Sequence, residues 1–155
     1  MKCYDTLKNN CVEFISTELT FPLRLEVLWK HKKTFEECRL DTDDIKTTFH
    51  VGVMKEGKIV SVGTFLEQRN KIFNEEKQYR LRAMATLPIM KNSGYGKQIV
   101  EFACKELRNR IIEILWCDAR EKAVGFYEKL GFQTKGDFYD IPLIGKHKLM
   151  YYKLK

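Results

Sequence analysis

The sequence predicts an α/β (α+β) domain built on a mixed sheet with helices on both faces. Three observations carry this reading. Seven stretches have the alternating or short continuous apolar pattern of strands, three repeat apolar residues at helical spacing, and the two kinds interleave along the chain. At 155 residues with 44% hydrophobic content the chain can bury one sizeable core, so a single domain spanning 1–155 is expected.

Taken in order, "CVEFIST" is short and β-rich and reads as the first strand. "TELTFPLRLEVLWKH" follows as a helix, with Pro22 in its first turn and Leu25, Leu28 and Trp29 at helical spacing. Polar residues 30–46 predict a loop with room for one short helix. "TTFHVGVMKEGKIVSVGTFLEQ" carries two alternating runs around Lys55-Glu56-Gly57-Lys58, which predicts a hairpin whose glycine supplies a positive φ. "RNKIFNEEK" has no period and is expected to be a surface loop.

"YRLRAMATL" alternates again, placing Tyr79, Leu81, Ala83 and Ala85 on one face and Arg80, Arg82, Met84 and Thr86 on the other. Pro88 helps to end this strand. From Gly94 to about Arg108, Ile99, Val100, Ala103 and Leu107 form an amphipathic stripe. "IIEILWC" predicts a short buried strand, and "AREKAVGFYEKLGF" a helix through Ala119, Ala123, Phe126 and Leu130, stopped by Gly131. "FQTKGDFY" and "HKLMYYKL", joined by "DIPLIGK", are the last two strands. Hairpins combined with helical crossovers require parallel and antiparallel pairs in one sheet.

Composition narrows the function classes. The five cysteines, Cys3, Cys11, Cys38, Cys104 and Cys117, are scattered, with no CxxC pair and no histidine at metal-ligand spacing. Reduced thiols in a cytoplasmic protein without a metal are the expectation. The N-terminus has no apolar run behind Lys2, and no stretch of about 18 uncharged apolar residues occurs, so neither export nor a membrane span is expected. The net charge of +7 attracts polyanions in general, but the 28 basic residues are spread along the chain without an arginine-rich block or an RNP-like pattern. A nucleic-acid partner is therefore not expected.

Between the fourth strand and the amphipathic helix lies Lys91-Asn92-Ser93-Gly94-Tyr95-Gly96-Lys97. It is not a P-loop: Lys91 occupies the first glycine position and Gln98 the hydroxyl position. Nor is it a Rossmann fingerprint, since Ile99 stands where the third glycine belongs. What remains is strand, glycine-containing loop and helix start. That arrangement suits either a phosphate on free helix N–H groups or an ordinary flexible turn.

Two blocks carry a resemblance. Thr86-Leu87-Pro88-Ile89-Met90-Lys91-Asn92-Ser93-Gly94-Tyr95-Gly96 resembles the V-x-P-x-x-R/Q-G-x-G-x-G/A run of the GCN5-related N-acetyltransferases, and Ala123-Val124-Gly125-Phe126-Tyr127-Glu128-Lys129-Leu130-Gly131-Phe132 is similar to that family's A-x-x-F/L-Y-E-K-L-G-F block. The resemblance covers roughly Cys11 to Leu154. It implies a mostly antiparallel sheet of six to seven strands whose central parallel pair splays apart, with acetyl-CoA as co-substrate in the cleft. The pantetheine arm would pair with Met84, Ala85 and Thr86, and the pyrophosphate would sit on Asn92 to Lys97, flanked by Lys91 and Lys97. Asn92 replaces the family's first glycine and Lys91 its Arg or Gln; Arg120 occupies a position often held by a cofactor-contacting asparagine, with Asp118 as a nearby substitute.

The resemblance further implies an acetyl-CoA-dependent N-acetyltransferase in which a primary amine attacks the thioester directly. Tyr127 would protonate the departing thiolate, and a backbone N–H near Ala85 would meet the oxyanion. The strand "YRLRAMAT" lacks the glutamate that some members use as a base, which leaves Glu67, His147 and His50 as candidates and motivates an alternative, a non-catalytic acyl-CoA-binding module. "DIPLIGKHKLM" resembles a G-I-P-H-x-x-M ending that would line the acceptor pocket. Arg80 and Arg82 suit either an acceptor carboxylate or salt bridges to neighbouring acids. The implied acceptor is a small-molecule or peptide amine, and a homodimer is expected from general frequency.

Overall fold

The structure, a computed structural model, describes residues 10–155. Cys3 lies outside them. Strands β1 (Asn10–Ile15), β2 (Phe49–Lys55), β3 (Lys58–Glu67), β4 (Gln78–Thr86), β5 (Ile114–Arg120), β6 (Gln133–Ile141) and β7 (Gly145–Lys153) form a seven-stranded sheet in the order β1-β2-β3-β4-β5-β7-β6. The β4–β5 pair is parallel, while β1–β2, β2–β3, β5–β7 and β6–β7 are antiparallel. The helices are α1 (Phe21–Leu23), α2 (Tyr95–Asn109) and α3 (Val124–Lys129).

Two compact units divide the chain. The first holds the described residues up to Leu66 together with Leu81–Glu106. The first predicted helix is present there as three short pieces: a 3-10 turn at Glu18–Thr20, α1 with Pro22 in its first turn, and a π turn at Arg24–Leu28 closed by Trp29 N–H donating to the Arg24 carbonyl. The wider π turn serves two clusters. Leu28 packs against both Ile15, Leu23, Val62 and Ala85, and Phe21, Trp29 and Cys38. Complete burial of one such aliphatic side chain stabilises by about 1.5–3 kcal/mol.

The β2–β3 hairpin turns through Glu56 at φ +50° and Gly57 at φ +79°. Two consecutive left-handed residues are what a two-residue loop between twisted strands requires. In β4 the alternation breaks at Ala83, whose φ of +51° is left-handed in mid-strand. Tyr79, Leu81 and Ala85 are buried as expected, whereas Ala83 is half-buried against the Phe21, Trp29 and Cys38 cluster.

The second unit holds Glu67–Arg80 and Leu107–Lys155. Residues 69–77 form a loop, but Phe73 within it is buried with Ile114, Trp116 and Leu149. A lone aromatic in a charged segment gives no periodic signal, so the sequence does not reveal this anchor. β5 extends through Ala119 and Arg120, which the sequence assigns to the next helix. Ala119 is 2% exposed and ladders to Lys148, so sheet pairing overrides helical spacing there. Gly131, at φ +96°, ends the helical segment as expected.

Cys38, Cys104 and Cys117 are free and buried. Cys11 is disulfide-bonded, its sulfur joined to a second sulfur rather than carrying a proton, and the expectation of five reduced thiols fails there. No helix among the described residues is long and apolar enough to cross a membrane.

Candidate active site

In the first unit β4 ends at Thr86, tied to β3 by the Ser61 and Thr86 hydroxyls at 2.7 Å and by Leu87 N–H donating to the Val60 carbonyl at 2.9 Å. Met84, Ala85 and Thr86 are thereby held extended on a rigid strand. The parallel register with β5 comprises Gln78↔Ile114, Tyr79↔Leu115 and Arg80↔Trp116, and β4 runs on beyond it.

After a 3-10 turn at Pro88–Met90 the chain enters α2 through Asn92 at φ +61° and Gly94 at φ +82°. Asn92, which stands where the family has its first glycine, thus takes a left-handed conformation, which its short polar side chain tolerates. The first α-helical bond of α2 runs from Gln98 N–H to the Gly94 carbonyl at 3.1 Å. The N–H groups of Tyr95, Gly96 and Lys97 therefore precede the ladder, at the positive end of the helix dipole. Tyr95 is buried and anchors the turn, while Lys91, Asn92, Ser93, Gly94 and Lys97 are exposed. A Cβ built on Gly94 would meet nothing within 4 Å, so the loop leaves open space there. Lys97 also reaches Glu101 at 3.8 Å.

The first unit buries a polar network as well. Arg24 donates both terminal nitrogens to Asp43, at 2.6 and 2.9 Å, and reaches the Cys38 carbonyl and the Thr64 hydroxyl. His50 is bonded at both ring nitrogens, Nδ1 to Thr64 and Nε2 to Thr17. Burial lowers its pKa, and Arg24 adds to that although Asp43 opposes it. Burial alone would raise Asp43; the Arg24 guanidinium and the Leu40 N–H outweigh it and hold the carboxyl below its ordinary value. With both nitrogens occupied, His50 has no free site for an acceptor proton.

In the second unit Tyr127 sits on α3, 5% exposed, with Phe126 and Phe132 packed on its ring. Burial, reinforced by Cys117, pushes its pKa well above the ordinary value, so the phenol stays protonated. Glu67 is exposed at the end of β3.

His147, on β7, is 4% exposed. Its Nδ1–H donates to the Gly145 carbonyl at 2.7 Å, since a carbonyl only accepts. Asp118 is held by Arg80 at 2.5 Å and accepts a short hydrogen bond from the Tyr139 hydroxyl. The salt-bridge alternative for Arg80 is the one realised, with its guanidinium also 4.9 Å above the Trp116 ring. Arg120 is half-buried and stands opposite His147 in the β5–β7 ladder. Glu67, Asp118, Arg120, Tyr127 and His147 thus belong to the second unit, and Met84 to Thr86 with Lys91 to Lys97 to the first.

Residues 12–132 match the acetyltransferase (GNAT) family. The chain belongs to that family. An uncharacterized N-acetyltransferase of Bacillus subtilis (strain 168), YitI, is 35% identical over 144 residues, 93% of this chain and 96% of the relative. The protein is accordingly an N-acetyltransferase. Solved structures share its fold. An aminoglycoside 6′-N-acetyltransferase complexed with coenzyme A has a TM-score of 0.73 at 12% identity, over 93% of this chain and 97% of the other. A GNAT-family acetyltransferase from Streptococcus pneumoniae has a TM-score of 0.67 at 18% identity, over 93% and 98%.

Two features of this GNAT domain escape sequence reading. Arg24 and Asp43 lie 19 residues apart in irregular segments, with no spacing that marks them as partners. Tyr139 lies in β6 without any motif, and only the β6–β7 register reveals its neighbours.

Proposed function

We propose that this N-acetyltransferase uses acetyl-CoA and passes the acetyl group directly to a primary amine of a small molecule or peptide. The observation that carries the reading is the left-handed Asn92 and Gly94 turn that opens α2 with three N–H groups ahead of its first helical bond. Its fit to a pyrophosphate is supported by the open space around Gly94 and the flanking Lys91 and Lys97. Solution of a same-fold relative with coenzyme A is consistent with it.

When bound, acetyl-CoA supplies an activated thioester carbonyl. The chain's residues supply the rest. Asn92 to Lys97 bind the diphosphate through backbone N–H groups, and the Met84 to Thr86 edge orients the pantetheine arm as an added strand would. The Ala85 N–H lies on that strand as the candidate oxyanion donor. Tyr127 holds a proton at Oη for the departing sulfur, and its burial excludes water from that transfer. The amine's proton is assigned to His147 Nε2, with exposed Glu67 as the other candidate, and Asp118 and Arg120 are kept as candidate cofactor contacts. The proposal places the protein in the cytoplasm as one domain, with a homodimer expected from general frequency alone.

Purified protein with acetyl-CoA and a panel of amines, followed by release of free thiol, tests the reading. Turnover is expected with at least one primary amine. Tyr127→Phe should lower kcat by about 100-fold or more while leaving acetyl-CoA affinity within twofold. A wild-type kcat in that variant would remove Tyr127 from proton transfer, and failure of acetyl-CoA to bind would remove the whole reading.

A further inference from the structure

A fault in the β6–β7 ladder decides what faces His147. At the start of the pair Lys135 lies opposite Leu149, and a regular antiparallel register would then bring Asp137 opposite His147. Instead Tyr139 faces His147, because the register shifts between Lys135 and Tyr139. Gly136, at φ +77° with open space around its Cβ position, lies at that shift. The slip amounts to two residues, so the same side of the strand is kept: a neutral phenol replaces a carboxylate opposite the imidazole.

Tyr139 is fixed from its far end. Its hydroxyl donates to Asp118, Asp118 is clamped by Arg80, and Arg80 is held over Trp116 and by Gln68 at 3.2 Å. A relay of one side chain from each of β4, β5 and β6 thereby leads to the imidazole through Tyr139, whose ring lies 6.3 Å from that of His147 at an interplanar angle of 28°. The groups facing His147 are Tyr139 from β6 and Arg120 from β5, with Asp118 and Arg80 behind Tyr139 and Lys146 and Lys148 as its neighbours on β7.

We propose that Tyr139 is a positioning residue for the transfer, delivered by the β6 bulge to hold the His147 imidazole with Nδ1–H on Gly145 and Nε2 open to the acceptor amine. The assignment deepens the proposed function and rests on His147 as the proton acceptor.

Two readouts test it in the full chain. The first is the imidazole tautomer by long-range ¹⁵N–¹H NMR, which does not depend on turnover. Wild type is expected to show a single Nδ1–H form, and Tyr139→Leu a mixture of forms. Tyr139→Phe, which keeps the ring and loses its anchor, should be intermediate. The second is the split between kinetic constants: Tyr139→Leu should lower kcat about tenfold or more, with the KM for acetyl-CoA within twofold and Tyr139→Phe restoring part of the loss. Unchanged tautomer in a folded Tyr139→Leu protein overturns the proposal, as does an unchanged kcat when His147→Ala is inactive. Wild-type kcat in His147→Ala would instead sink the proton-acceptor role, and the NMR result would still decide whether Tyr139 holds the ring.

Discussion

Two of the arginine–aspartate pairs among the described residues sit in opposite surroundings. Arg24 and Asp43, in the first unit, have side chains with 0% exposure and make a bidentate contact. Arg80 and Asp118, in the second, are 18% and 21% exposed and make a single ion-pair contact, at 2.5 Å. The sealed pair ties the π turn and the 38–43 segment to β3 through Thr64, so its role is architectural. The more open pair holds the Tyr139 hydroxyl, whose ring neighbours His147, and in the proposal above its role is to aim that imidazole. The same chemistry is thus set to different tasks by solvent access and by what the second carboxylate oxygen touches.

Breaking the sealed pair has the largest expected effect. Arg24→Ala strands a buried carboxylate and should cost about 3–5 kcal/mol in denaturant unfolding, whereas Arg24→Met combined with Asp43→Leu should recover much of the loss. Arg80→Ala removes a partly solvated charged hydrogen bond and should cost about 1–3 kcal/mol while lowering kcat through Tyr139. Equal stability losses at the two sites would erase the distinction. Gly94→Ala meets no steric obstacle, so only its left-handed backbone resists, at about 1–2 kcal/mol; the loss should come with weaker acetyl-CoA binding by calorimetry.

The smallest effect is a pH slope in the first unit. His50 has a folded-state pKa below its ordinary value of about 6.5, so the unfolded chain binds the extra proton first. Unfolding free energy should therefore fall as pH drops below that value, by at most about 1.4 kcal/mol per pH unit. His50→Gln should flatten the slope, read from denaturant midpoints between pH 7 and pH 5.

The sequence carries the strand and helix order because alternation and helical stripes are local. It carries the loop before α2 and the Tyr127 block because both are contiguous motifs at element boundaries. Asn92 departs from the family's glycine, and asparagine is a residue that can take the left-handed conformation; the backbone there does so, at φ +61°. Ala83, Phe73 and Tyr139 were not legible, since a mid-strand kink, a loop residue folded into a core and a register slip depend on partners distant in the chain. The Arg24–Asp43 pair is hidden for the same reason, and Cys11 departs from a reading made on composition alone.

The central claim is that the turn before α2 binds the diphosphate of acetyl-CoA. Calorimetric titration with acetyl-CoA and with S-acetylpantetheine, which lacks that diphosphate, tests it most directly. Acetyl-CoA is expected to bind at roughly micromolar Kd and acetylpantetheine at least about tenfold more weakly, a difference of about 1.4 kcal/mol or more. Equal affinity for the two would contradict the account.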